Sequence, residues 1–301
     1  MNIGYTFNIN DALMCAKFSG RAYDAFEKDY LGFAMDLSSA GFKLVKTITD
    51  AETDTEGFLA TNDEIAVLCF RGTYEVPMDV ITDVAGKMIN GGHEGIYKSF
   101  ASVQEKIEEA LDLVPDMPLF STGHSLGGGL AKVSVLQLPH RNWKACYTFG
   151  SPPVCDADVA SRNHIPIFRV VNEGDIVPRI MELEFVGDLG EFMVSAMSTV
   201  LKRKEIKIPA VVSAEEYVKS MKPDLKKYCH LGEVRYFNND GLCPTLKNSL
   251  ELFKGTVEKD WRRAIEDHKI LRYISNIEKY IENRLVFEGH ESLESEPEET
   301  C

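Results

Sequence analysis

Short, continuous apolar runs alternate along this chain with stretches in which apolar residues recur every three or four positions. Residues 11–26 have the helical spacing, and 42–45, 57–60 and 65–70 read as strands. The last of these, Ile65-Ala66-Val67-Leu68-Cys69-Phe70, is apolar throughout, which suits a strand covered on both faces, as in a parallel sheet with helices on each side. From Ile96, the residues Phe100, Val103, Ile107, Ala110, Leu111 and Val114 share one face of a helix that leads into a strand at 118–120. A helix follows residue 125, and 145–149, 167–171 and 231–237 are further strands. Ile270, Leu271, Ile274, Ile277 and Ile281 space out a late helix. The order strand, helix, strand, helix, strand, strand predicts an α/β layered domain with right-handed crossovers.

Composition narrows this picture. At 301 residues and 44% hydrophobic content, the chain supports one large core. We expect a single domain over 1–287 and, because six glutamates fall between Glu288 and Glu299, a disordered acidic tail over 288–301. No segment reaches the roughly 18 uninterrupted apolar residues of a membrane span, and residues 1–5 do not open a secretory leader. The seven cysteines include no C-x-x-C pair, so reduced thiols are expected rather than a disulfide framework or zinc site. Together these features suggest cytoplasmic residence or leaderless export. The formal charge of −14 argues against a nucleic-acid partner.

Candidate chemistry centres on Ser125 in Gly123-His124-Ser125-Leu126-Gly127. A strand that turns sharply into a helix needs small residues two positions either side of the serine, and the turn leaves the hydroxyl exposed. The N–H of Leu126 then lies at a helix N-terminus, where an unpaired donor and the helix dipole favour an oxyanion. An acid belongs in a loop after a later strand, where Asp175 follows the strand ending near Val171. Three histidines lie beyond it. His290 falls in the acidic tail, His230 precedes a strand, and His268 precedes a helix that can anchor a histidine-bearing loop, so His268 is favoured over His230 as base. A second oxyanion donor is sought after the strand ending at Phe70, where Gly72 permits close approach and Thr73 offers an N–H and a hydroxyl, while Arg71 reads as structural.

Phe70-Arg71-Gly72-Thr73, Thr82-Asp83, His93-Glu94-Gly95-Ile96, Thr122-Gly123-His124-Ser125-Leu126-Gly127-Gly128, Tyr147-Thr148-Phe149-Gly150-Ser151-Pro152, Asn172-Glu173-Gly174-Asp175-Ile176-Val177-Pro178-Arg179 and Asp267-His268 together resemble the class 3 lipases, the family of the fungal triacylglycerol lipases. The resemblance implies an α/β-hydrolase fold with a mostly parallel central sheet and helices on both faces. It also implies Ser125 as nucleophile, Asp175 as orienting acid, His268 as base, and Thr73 and Leu126 as the oxyanion hole. Gly123, His124 and Gly127 would complete the nucleophile elbow. Two departures stand out: Cys155 lies where many relatives have a Gly-Asn pair, and the segment between Arg179 and Tyr228 is longer than in compact fungal members.

Within residues 181–227, a candidate cap or lipid-docking insertion, Leu189, Phe192, Met193, Ala196, Met197, Val200 and Leu201 share a helical face ahead of Lys202-Arg203-Lys204. Packing on its own domain is the plainer reading of that helix. Residues 76–92 are where the family places its lid. The expected activity is carboxylic-ester hydrolysis, foremost release of fatty acids from acylglycerols, with lipid or ester substrates, peripheral contact with a lipid interface, and neither metal nor organic cofactor. Alternatives are a phospholipase or short-chain esterase using the same residues, a peptidase or thioesterase on the same scaffold, or a non-catalytic lipid-binding protein.

Overall fold

In the computed structural model the described residues are 5–25, 30–73, 88–175, 177–179, 228–241 and 266–293. The elements in order are α1 (Ile9–Ala25), α2 (Tyr30–Ser39), β1 (Lys43–Asp50), β2 (Thr55–Thr61), β3 (Ala66–Phe70), β4 (Met88–Ile89), β5 (Gly92–His93), α3 (Glu94–Leu111), β6 (Leu119–His124), α4 (Leu126–Gln137), β7 (Trp143–Phe149), α5 (Ala157–Ser161), β8 (Ile167–Asn172), β9 (Glu233–Phe237) and α6 (Ile270–Leu293).

Seven strands form one sheet in the order β1-β2-β3-β6-β7-β8-β9. β1, β2 and β3 pair antiparallel, and every pairing from β3 to β9 is parallel. The sheet is therefore mostly parallel, with an antiparallel edge. β3, β6 and β8 are buried at every position and β7 at every position but Lys144, as expected of strands covered on both faces. One face is covered by α3 and α4, which bury Ile96, Phe100, Val103, Ile107 and Leu130 against Leu68, Leu119 and Cys146. The other is covered by α1 and α6, whose Cys15, Phe18, Tyr273 and Ile277 pack with Phe120, Tyr147 and Phe149. α3 starts where its pattern predicts because His93 caps it, accepting the N–H of Ile96 at 3.3 Å through Nδ1.

Three local expectations change. α2 was not anticipated, because Leu31 and Met35 face outward while Phe33 and Leu37 are buried, so its apolar residues form no single stripe. The short α5 separates β7 and β8, which the sequence pattern had placed in direct succession. The late helix α6 runs on to Leu293, so the first six residues of the stretch expected as a tail, 288–293, are helical.

Lys132 of α4 is fully buried, its Nζ donating to the Pro152 carbonyl, and burial, with the nearby Arg169 charge, holds its pKa down at about 7. In the unfolded chain the same amine titrates near 10.4. Below about pH 7 both states are protonated and the folded state bears the whole cost of the buried charge. As pH rises toward 10.5 the folded amine is already neutral, and the cost fades. Lys132→Met should therefore raise stability by at most about 5 kcal/mol near pH 6, and the gain should shrink steadily by pH 10, in urea melts across that range.

Candidate active site

The C-terminal ends of the parallel strands are aligned: Phe70 of β3 pairs with Gly123 of β6, and Gly123 with Thr148 of β7. Ser125 lies at that edge, between β6 and α4, with φ 56° and ψ −125°. A non-glycine residue pays roughly 1–2 kcal/mol for this left-handed backbone. It is held there by its own N–H, which donates to the Phe149 carbonyl at 2.9 Å. The flanking glycines are obligatory by contact. A Cβ on Gly123 would lie 2.3 Å from the Gly127 carbonyl, and one on Gly127 would lie 2.4 Å from the Phe70 carbonyl oxygen. Both obstacles are backbone, which cannot rotate away. Leu126 is the first residue of α4, so its N–H has no partner within the helix.

Asp175 follows β8 by three residues and is fully buried. His268 comes from the turn ahead of α6. Its Nδ1–H donates to the Asp175 carboxylate, 2.9 Å from Oδ2 and 3.0 Å from Oδ1. With that proton on Nδ1, Nε2 is left to accept, and Ser125 Oγ lies 2.9 Å from it. The sequence-expected serine, histidine and aspartate thus form one hydrogen-bonded chain although residues 125 and 268 are 143 positions apart.

Several residues that the sequence reading left without a role hold this chain in place. Tyr273, one turn into α6, donates its hydroxyl to Asp175 Oδ2 at 2.5 Å and accepts the Asn172 N–H at 3.2 Å. Burial and the neighbouring Asp175 charge push its pKa well up, so it remains a donor. Val177 N–H donates to Asp175 Oδ1 at 2.9 Å. Asn172 Nδ2 donates to the Asp267 carbonyl at 2.8 Å, and Asn276 in turn donates to Asn172 Oδ1 at 2.9 Å. His124 does more than fill the elbow. Its Nε2 lies 2.5 Å from the His268 carbonyl, which only accepts, so Nε2 carries a proton. Burial, with His268 beside it, holds the His124 pKa well below the ordinary range. The ring is therefore neutral, and Nδ1 accepts the Tyr23 hydroxyl at 2.7 Å.

The other candidates separate clearly. His230 donates Nε2–H to the Pro178 carbonyl at 2.7 Å, bracing the loop after Asp175. Burial and the Arg169 and Lys132 charges hold its pKa well down. Arg71 pairs with Glu56 and Asp54 and donates to the Gly72 carbonyl at 3.0 Å, a structural role. The loop carrying Gly72 and Thr73 abuts the serine turn: a Cβ on Gly72 would lie 3.3 Å from Ser125 Cβ. Among the described residues no group of His, Cys, Asp and Glu could hold a metal, and no helix is long and apolar enough to cross a membrane. The 189–204 helix lies outside the described residues. So does most of 76–92, apart from the β4–β5 hairpin that closes it, and so does the side chain of His290.

Residues 67–185 match the family model described as Lipase (class 3). That span contains Thr73, Ser125, Leu126 and Asp175 and stops short of His268, whose place in the site rests on the geometry above. The chain is 32% identical over 165 residues to a lipase of Rhizomucor miehei, covering 48% of this chain and 45% of that protein. It is 34% identical over 107 residues to phospholipase A1-IIbeta of Arabidopsis thaliana, covering 30% of this chain and 26% of that protein. The match therefore spans less than half the length of these curated relatives. Among solved structures it resembles, at 25% identity and a TM-score of 0.51, a triacylglycerol lipase whose catalytic centre is a serine protease triad, covering 60% of this chain and 77% of that one.

Proposed function

We propose, for a chain whose residues 67–185 belong to the class 3 lipase family, that the whole protein hydrolyses carboxylic esters of lipids, foremost acylglycerols. The observation that carries the reading is the hydrogen-bonded chain from Ser125 Oγ through the two ring nitrogens of His268 to Asp175.

In this reading His268 Nε2 takes the proton of Ser125 as Oγ attacks the acyl carbon. The negative charge that develops on the carbonyl oxygen is met by the N–H of Leu126 and by Thr73. The collapsing intermediate expels the alcohol, which receives the proton from His268. Water, activated by the same imidazole, then attacks the acyl-serine; the fatty acid leaves and Ser125 regains its proton. Asp175 fixes the productive tautomer, and Tyr273 and Val177 N–H hold Asp175.

A phospholipid ester is the second reading, favoured by the likeness to the plant phospholipase and served by the same residues. Peripheral contact with a lipid surface belongs to the same proposal, through the apolar face of 189–201 and Lys202-Arg203-Lys204.

Chromogenic esters of increasing chain length, offered below and above their solubility limits beside phospholipid vesicles, test the reading. Wild type should turn over long-chain esters fastest above the limit, with Ser125→Ala slower by about 10⁴-fold or more. Faster release from phospholipid would favour the second substrate. No turnover of any ester by folded wild type would contradict the enzyme and leave a non-catalytic lipid-binding protein.

A further inference from the structure

Cys155 and Cys229 face each other across an antiparallel bridge, and Cys229 N–H donates to the Cys155 carbonyl at 2.8 Å. Hydrogen-bonded cross-strand partners have Cα atoms about 5.5 Å apart, within the roughly 4.4–6.8 Å over which a disulfide closes without backbone movement. Both side chains project from the same side of the bridge, which sets the two thiols next to each other. Cys155 is buried and Cys229 partly exposed, so one sulfur is open to a reagent and the other waits behind it. The other described cysteines, Cys15, Cys69 and Cys146, are buried inside the core and have no partner in such a register.

We propose that Cys155 and Cys229 are a disulfide-forming site, closed by exchange with a small-molecule disulfide such as oxidised glutathione. The Cys229 thiolate attacks one glutathione sulfur, breaking the glutathione S–S bond, forming a Cys229–glutathione mixed disulfide and expelling one reduced glutathione. The Cys155 thiolate then attacks Cys229 Sγ, forming the protein disulfide and expelling the second. Two protein thiols are oxidised and one glutathione disulfide is reduced to two thiols, so electrons and protons balance. Burial pushes the Cys155 thiol up to about 12 and raises that of Cys229, so exchange proceeds slowly, over hours, at neutral pH.

The bond would tie the chain down at Cys229, ahead of β9. Cys229 precedes His230, whose ring holds the Pro178 carbonyl, and the strip containing Cys155 also bridges Gly92 of the β4–β5 hairpin. A closed bond would enclose β8 and Asp175 in one covalent loop, 155–229.

The test uses the full wild-type chain, held for several hours in oxidised glutathione or in dithiothreitol, then alkylated and mapped by non-reducing peptide mass spectrometry. The expected result is a Cys155–Cys229 linked peptide that disappears on reduction, with a melting temperature about 5–10 °C above that of the reduced protein. In Cys155→Ser the exchange should stop halfway, leaving glutathione on Cys229. Full alkylation of both thiols after exposure, glutathione retained on Cys229 in wild type, or a bond to another partner such as Cys146 would each overturn the proposal. The wild-type map decides by itself if the variant does not fold.

Discussion

Replacing His268 with alanine is expected to lower kcat for ester hydrolysis by about 10⁴- to 10⁶-fold, whereas His230→Ala in folded protein should lower it less than about 10-fold. His268 is buried and His230 half-buried, and both lie downstream of Asp175 in the chain, so sequence position alone separates them poorly. Geometry separates them well. His268 presents Nε2 to Ser125 Oγ at 2.9 Å and Nδ1 to Asp175, whereas His230 donates to the backbone of Pro178 and touches neither reacting group. Loss of His230 should appear instead as a lower melting temperature, since the loop after Asp175 loses a brace. Comparable kcat losses in two well-folded variants would remove His268 from the role of base.

Gly127→Ala is expected to destabilise the protein by about 3 kcal/mol or more, a fall of roughly 6–10 °C in melting temperature. The added methyl would meet the Phe70 carbonyl oxygen at 2.4 Å and the Arg71 carbonyl carbon at 2.7 Å. To relieve that contact α4 must move away from β3, which carries the Ser125 turn out of line with His268. Activity should therefore fall even at temperatures where the variant remains folded. Gly95→Ala is the control: it adds a methyl near the start of α3, with its nearest neighbour 3.5 Å away, and should be neutral or gain up to about 1 kcal/mol. Equal melting temperatures for Gly127→Ala and wild type would contradict the account of why the elbow needs glycine.

The strands and long helices were legible because their burial is written locally: β3 is apolar at every position, and α3 buries the stripe that begins at Ile96. The serine, its flanking glycines and the acid after β8 were legible for a related reason. A strand-to-helix turn and a strand-end loop each constrain residues close together in sequence. His268 needed more: the helix that follows it favours it over His230, and only the fold brings its ring to Ser125, 143 positions away.

The supporting residues were not legible at all. Tyr273 carries no motif that marks it, and only the fold places its hydroxyl against Asp175, 98 residues away. His124 was placed in the elbow, but its contacts were not legible. Its orientation depends on Tyr23, in a helix 101 residues upstream, and its work is to hold the His268 backbone. α2 escaped because half of its apolar side chains face outward. The extent of α6 escaped because composition marks where charge accumulates, whereas a helix stops only where its backbone does.

We infer that Ser125 is a nucleophile made reactive by His268. A reactive phosphonate ester, which phosphonylates only an activated serine, tests it most directly by intact-mass and peptide analysis. The account predicts one adduct per chain, located on Ser125, formed in step with the loss of ester hydrolysis, and slowed by orders of magnitude in His268→Ala. No adduct on folded wild type, an adduct on a different residue, or equally fast labelling of Ser125 in His268→Ala would contradict it.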